Sequence, residues 1–182
     1  MDDVYKKSLE LHKKLQGKLE SKSKIPLDSK EVLSLLYTPG VAEVSREIAR
    51  DPALAREYTL KRNTIAIVSD GSAILGLGNL GALPAIPVME GKAVIFKEFA
   101  DINAFPICLD TQDTEEIIKA VKQIAPVFGG INLEDISGPK CFEIEERLRR
   151  ELSIPVMHDD QWGAGTVILA GLINALKITG RK

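Results

Sequence analysis

Residues 130–161, GINLEDISGPKCFEIEERLRRELSIPVMHDDQ, decide the fold. The short apolar run through Ile131 and Leu133 stops at Glu134-Asp135, and a helical pattern then spans Pro139 to Leu152. A second apolar run, Ile154-Pro155-Val156-Met157, stops at His158-Asp159-Asp160. Strand, helix and strand at this spacing form a βαβ unit, whose two strands run parallel. Both acidic pairs then leave the sheet at strand ends. Ligands of open parallel sheets bind in the crevice outside those ends, so the four carboxylates can converge on one point. Left unneutralised they repel one another, and a divalent cation is the economical resolution.

The same alternation continues outward. Thr64 to Val68 is a β-branched run ending at the turn signal Ser69-Asp70-Gly71, and Ala73 to Leu77 is expected to return as a second short strand. A helix follows from Leu83 to Ala100, then a strand Phe105 to Leu109, a helix Thr114 to Ile124, and, after the quoted unit, a last helix Gln161 to Lys177. The fold class is therefore α/β, a mostly parallel sheet with helices on both faces. The preceding residues are helical. Val4, Leu9, Leu11 and Leu15 predict an amphipathic helix over 2–16 that closes at Gly17. Asp28 and Glu31 have the spacing of a capping box ahead of Val32 to Leu36, and Val41, Val44 and Ile48 predict a helix that stops near Asp51-Pro52. Residues 1–62 are thus a helical extension and residues 63–182 the α/β core.

With 182 residues, 45% of them hydrophobic, the chain can bury a real core. Its net charge of −2, with both signs interspersed, excludes the basic face of a nucleic-acid binder and a polybasic membrane patch. Small-molecule chemistry is favoured. Cys108 and Cys141 lack metal or redox spacing and suit a reducing compartment. The charged N-terminus is no signal peptide and no run is expected to reach membrane-spanning length, so the expected location is the cytoplasm.

Gly76-Leu77-Gly78-Asn79-Leu80-Gly81 matches the dinucleotide fingerprint, but that fingerprint needs a strand leading into its first glycine. Here the preceding segment is the return arm of a turn, so a glycine-rich bend that brings the chain close to a helix is the favoured reading. Pro84 and Pro87 fit the first turn of the helix that follows. Lys92 lies among Val88, Ala93, Val94, Ile95 and Phe96, where desolvation would lower its pKa and supply an amine base, although a snorkelling lysine fits the segment as well. Tyr37 lies between two helices, before Thr38-Pro39-Gly40, where its hydroxyl can enter a cleft or pack. Asp159 or Asp160 can cap a helix. Glu134 and Asp135 have no such task, because Ser137 can cap the next helix and Pro139 suits its first turn. His158 beside these acids reads as a local hydrogen-bonding residue.

Tyr37-Thr38-Pro39-Gly40-Val41-Ala42, Asp70-Gly71, Gly76 to Gly81, Gly91-Lys92, Glu134-Asp135 and His158-Asp159-Asp160-Gln161 follow one another in this order. Together they make the chain resemble, over essentially its whole length, the N-terminal part of malic enzymes of the short bacterial or archaeal type. The resemblance implies oxidative decarboxylation of malate to pyruvate and carbon dioxide, with NAD or NADP and a Mg or Mn ion. It implies Tyr37 as general acid and Lys92 as general base, both touching substrate, with Glu134, Asp135 and Asp160 as metal ligands and Asp159 tuning the base. It also implies a homodimer. The nicotinamide-binding Rossmann domain of such enzymes would begin after Gly180-Arg181-Lys182, so this chain is not itself that domain, and alone it is expected to be inactive. One departure stands out: larger members carry an arginine shortly after the Asp-Gly turn, where this chain has Ser72-Ala73-Ile74. Two other classes remain open: a nucleotide-binding module that uses the Gly76 to Gly81 loop, and a dimerisation or folding unit.

Overall fold

The structure, a computed structural model, describes residues 2–181. Among the described residues, four α-helices precede the sheet, α1 (Asp2–Leu15), α2 (Lys30–Leu36), α3 (Val41–Arg50) and α4 (Ala55–Tyr58), with 3-10 turns at Pro52–Leu54 and Leu60–Arg62. The cap of α2 is Ser29, whose side chain accepts from the Val32 N–H at 3.1 Å, so the expected Asp28 capping box does not form. With Lys30 as the first helical residue, Glu31 falls at the second position, one short of where it could reach back. None of α2, α3 and α4 buries a residue in this chain.

The α/β core follows as β1 (Thr64–Ser69), α5 (Ala82–Ala100), β2 (Asn103–Cys108), α6 (Thr114–Ile124), β3 (Gly130–Leu133), α7 (Lys140–Glu151), β4 (Val156–His158) and α8 (Asp159–Thr179). The strands form one parallel sheet in the order β2-β1-β3-β4. Alternation along β1 sorts its side chains between two layers, as the pleat requires. Ala66 and Val68 join Ile131, Leu133 and Val156 against Ile117, Ile118 and Val121 of α6 and Ile144 and Leu148 of α7. On the opposite face, Ile67 packs against Met89 and Ala93 of α5. Helices therefore cover both faces, and the strand order reverses between β1 and β3.

The return strand expected at Ala73 to Leu77 is absent. A single antiparallel bridge, Ile74 to Gly78, stands in its place. Leu75, Gly76, Gly78 and Gly81 all have positive φ, which breaks an extended run. Gly71 is required by a close approach: a Cβ there would lie 2.0 Å from the Gly81 carbonyl oxygen. Pro87 lies inside α5 rather than in its first turn, so the Leu83 carbonyl lacks its helical donor. By length and composition α8 could cross a membrane, with a hydropathy of 1.3, contrary to the sequence expectation. That expectation looked for an unbroken apolar run, whereas here glycines, threonine and asparagine are interspersed among apolar residues. The first turn of α8 nevertheless belongs to the acidic cluster at the sheet edge described below.

Leu148 is fully buried between α7 and the sheet. Leu148→Ala should cost about 2–5 kcal/mol in urea unfolding, and a loss below about 1 kcal/mol would show that α7 does not pack as described.

Candidate metal centre

Strand register assembles the site. Val68 pairs with Leu133, and Leu133 with His158, so β1, β3 and β4 end in one row. The residues that follow, Asp70, Glu134-Asp135 and Asp159-Asp160, emerge together at the β1/β3 reversal, where open α/β sheets bind ligands.

Glu134 remains tied to the sheet through its N–H, which donates to the Val68 carbonyl at 2.9 Å. One carboxylate oxygen accepts from Asn132 Nδ2 at 2.8 Å, and the other lies 3.0 Å from Lys92 Nζ. Lys92, reaching over from α5, also donates to Asp159 Oδ2 at 2.6 Å. Asp135 adopts φ 53°, a left-handed conformation that aspartate tolerates better than most residues. Its carbonyl accepts from the Ala73 N–H and its own N–H donates to Asp160 Oδ2, each at 3.0 Å. Glu134, Asp135 and Asp160 each bring an oxygen within 4.8 Å of the other two. Asp135 Oδ2 is buried and has no hydrogen-bond partner.

One ammonium faces the four carboxylates of Glu134, Asp135, Asp159 and Asp160. At an effective dielectric constant near 20, two charges at that spacing repel by about 3–4 kcal/mol. The imbalance shows in their acidities. Burial raises the pKa of Glu134, only partly opposed by the bond from Asn132 and by Lys92. Burial and the charge of Asp160 push Asp135 up to about 6. Asp160 is held below the usual carboxylate range by His158, against burial and with help from the Asp135 N–H. His158 Nε2 lies 3.5 Å away, so the Asp135 N–H at 3.0 Å is the firmer anchor. Three hard carboxylate donors, from buried Glu134 and Asp135 and exposed Asp160, with Asp135 Oδ2 left unpaired, fit a Mg or Mn ion.

Several expectations need correction. Burial alone would lower the Lys92 pKa, but its bonds to Asp159 and Glu134 outweigh burial and raise it. The sequence shows the apolar helix around this lysine and hides the two acids its head group meets. Neither Asp159 nor Asp160 is an N-cap; both lie in the first turn of α8, preceded by His158 at the cap. Ser137 does not cap α7 by its side chain, and its N–H donates instead to Ser72 Oγ at 2.9 Å. The Gly76 to Gly81 loop follows a turn, since β1 ends at Ser69.

Tyr37 is 68% exposed at the end of α2, and among the described residues no hydrogen bond or ion pair joins it to the cluster. The sequence reading also missed Asn132 and Asp70. Asn132 is two residues before Glu134, hence on the same strand face, a period-two signal that could have exposed it. Asp70 is fully buried, accepts from Ser72 Oγ at 2.6 Å, and lies 2.5 Å from Lys140 Nζ.

Fold and cluster together define an α/β domain with a carboxylate and lysine centre at the switch point of a parallel sheet. Residues 16–149 match the model of the malic enzyme N-terminal domain. The chain is 65% identical over 166 residues to the NAD-dependent malic enzyme of Geobacillus stearothermophilus, covering 91% of this chain and 35% of that protein. It is 53% identical over 165 residues to the NADP-dependent malic enzyme of Rhizobium meliloti, covering 91% of this chain and 22% of that protein. The crystal structure of the Thermotoga maritima NAD-dependent malic enzyme superposes with a TM-score of 0.92 at 57% identity, covering 94% of this chain and 48% of that one. The chain belongs to the malic enzyme family, and it spans less than half the length of these relatives.

The raised acids predict a pH signature. An acid whose folded pKa exceeds its unfolded value destabilises the fold once ionised, so without metal Asp135 costs stability as pH rises from 3.8 towards about 6. Glu134 acts in the same direction. In EDTA, Asp135→Asn should gain stability relative to wild type across that window by urea unfolding, and saturating Mg in place of EDTA should reverse the sign of the difference in slope, since the ion is held by the ionised carboxylate. Parallel pH curves for the two proteins would contradict this account of Asp135.

Proposed function

We propose that this chain is the substrate- and metal-binding part of an enzyme that oxidatively decarboxylates malate to pyruvate and carbon dioxide, reducing NAD or NADP. The observation that carries the proposal is the meeting of Glu134, Asp135 and Asp160 beside the Lys92 amine, with Asp135 Oδ2 buried and unpartnered. Similarity to both NAD- and NADP-dependent relatives supports the redox partner without choosing between the two.

Glu134, Asp135 and Asp160 would hold a Mg or Mn ion, which when bound supplies Lewis acidity for the loss of carbon dioxide and offsets the surplus negative charge. Lys92 Nζ would accept the proton of the malate 2-hydroxyl as hydride leaves for the nicotinamide. In the resting arrangement this amine is an ammonium held by Asp159 and Glu134, so it becomes a base only after giving up that proton. Asp159, bonded to the amine, would keep it in place, take that first proton or pass it to solvent, and pair with the ammonium again once the 2-hydroxyl proton has been accepted. Tyr37 would protonate the enol carbon at the end of the reaction, its hydroxyl reaching the site from this subunit or from a second one.

Unburied helices supply the second part of the proposal, a homodimer. Leu35, Leu36 and Tyr37 of the α2 region are exposed, as are Val167, Ile168 and Leu172 of α8. Exposed apolar surface of this kind marks contact with other protein. We propose that these faces meet a second copy and the remainder of the enzyme.

In the enzyme containing this chain, Lys92→Ala should abolish malate-dependent nicotinamide reduction while circular dichroism stays native. Tyr37→Phe should mainly slow proton delivery to the enol, so that pyruvate release falls behind oxidation. Full activity of Lys92→Ala would remove the lysine from its assigned role. Sedimentation of the enzyme should give a dimer, and a strict monomer at high concentration would refute the second part.

A further inference from the structure

We infer that Glu145, on α7, is a positioning residue that sets the placement of Asp159 and Asp160, an inference that rests on the metal-centre reading above. Glu145 is only 4% exposed, and burying a carboxylate is costly unless its bonds are satisfied. Among the described residues no cation pairs with it; instead a single oxygen, Oε1, takes two donors. These are the His158 N–H at 3.2 Å and Trp162 Nε1 at 2.7 Å. His158 immediately precedes the acidic pair and Trp162 follows it within the first turn of α8, so Glu145 grips the backbone and the helix on either side of Asp159-Asp160.

The grip matters because, beside the Lys92 bond to Asp159 and the Asp135 N–H bond to Asp160, the start of α8 has no other hydrogen-bonded anchor among the described residues than Glu145 and the sheet strand before it. The helix buries no residue in this chain, and its cap residue, His158, makes no side-chain capping bond. Glu145 supplies from a neighbouring helix the acceptor for the cap residue's own N–H that the third-position acid of a capping box would provide locally, and its negative charge suits the positive end of the α8 dipole. Arg149, one turn along α7, adds a second hold, with its guanidinium 6.0 Å from the centre of the Trp162 ring. Helix α7 is itself locked into the core by Ile144 and Leu148, so the acids of α8 inherit their placement from a rigid element.

The test is a Mn titration of the enzyme containing this chain, followed by the EPR signal of free Mn at a temperature below the melting point of every variant. Glu145→Leu should weaken Mn binding about tenfold or more, the usual effect of removing a partner that orients metal ligands. Glu145→Gln keeps an oxygen acceptor and should bind within about threefold of wild type. Ile144→Ala, a neighbouring core cavity, should lower the melting temperature and leave Mn affinity unchanged. If Glu145→Leu fails to fold, Trp162→Phe, which deletes one of the two donors, should still weaken binding. Wild-type affinity in Glu145→Leu, or in Trp162→Phe should Glu145→Leu not fold, overturns the inference and leaves the metal centre standing. Equal losses in Glu145→Leu and Ile144→Ala would also overturn it, by showing general destabilisation. Absence of Mn binding in wild type would instead bring down the metal-centre reading itself.

Discussion

Mutual repulsion among carboxylates is the constraint on which the rest of this structure depends. The parallel register of β1, β3 and β4 ends three strands in one row and delivers Glu134, Asp135 and Asp160 to within 4.8 Å of one another. One lysine cannot neutralise them, and repulsion of about 3–4 kcal/mol per ionised pair is a large fraction of the stability of an ordinary domain. The fold therefore demands a proton or a cation at this edge. Burial of Asp135 and Glu134 sharpens the demand, since water cannot screen them.

Rigid elements surround this centre and looser ones flank it. Glu134 is fixed by the β1 ladder and by Asn132, and Asp135 is held in its left-handed conformation by bonds to Ala73 and Asp160. A strained residue of this kind typically costs about 1–3 kcal/mol and persists where its neighbours over-determine it. Against this, α2, α3 and α8 bury nothing in the chain. The cluster thus brings four carboxylates and a lysine together, while Tyr37 stands apart on an exposed helix end.

What the sequence revealed followed from local rules. The alternation of strands and helices gave the α/β class, and α6 has the predicted limits because Asp113 caps it and its apolar stripe is regular. The strand-end acids could be found because short apolar runs stop at them. Non-local geometry was hidden. The Ala73 to Leu77 strand failed because Leu75 and the glycines after it adopt positive φ, and at Leu75, a non-glycine residue, no local pattern announces that. The Lys92 acidity was misjudged because Asp159, far away along the chain, is its nearest partner. Glu145 looked like one more charge on an amphipathic helix, and only the tertiary position of His158 and Trp162 reveals its task.

Anomalous diffraction from crystals of the protein soaked in Mn tests the central claim most directly. The account predicts one dominant peak at the manganese edge, within coordination distance of an oxygen from each of Glu134, Asp135 and Asp160, with Lys92 Nζ next to it and not bonded to it. A peak held by other acids, or these three carboxylates in place with no manganese between them, would contradict it.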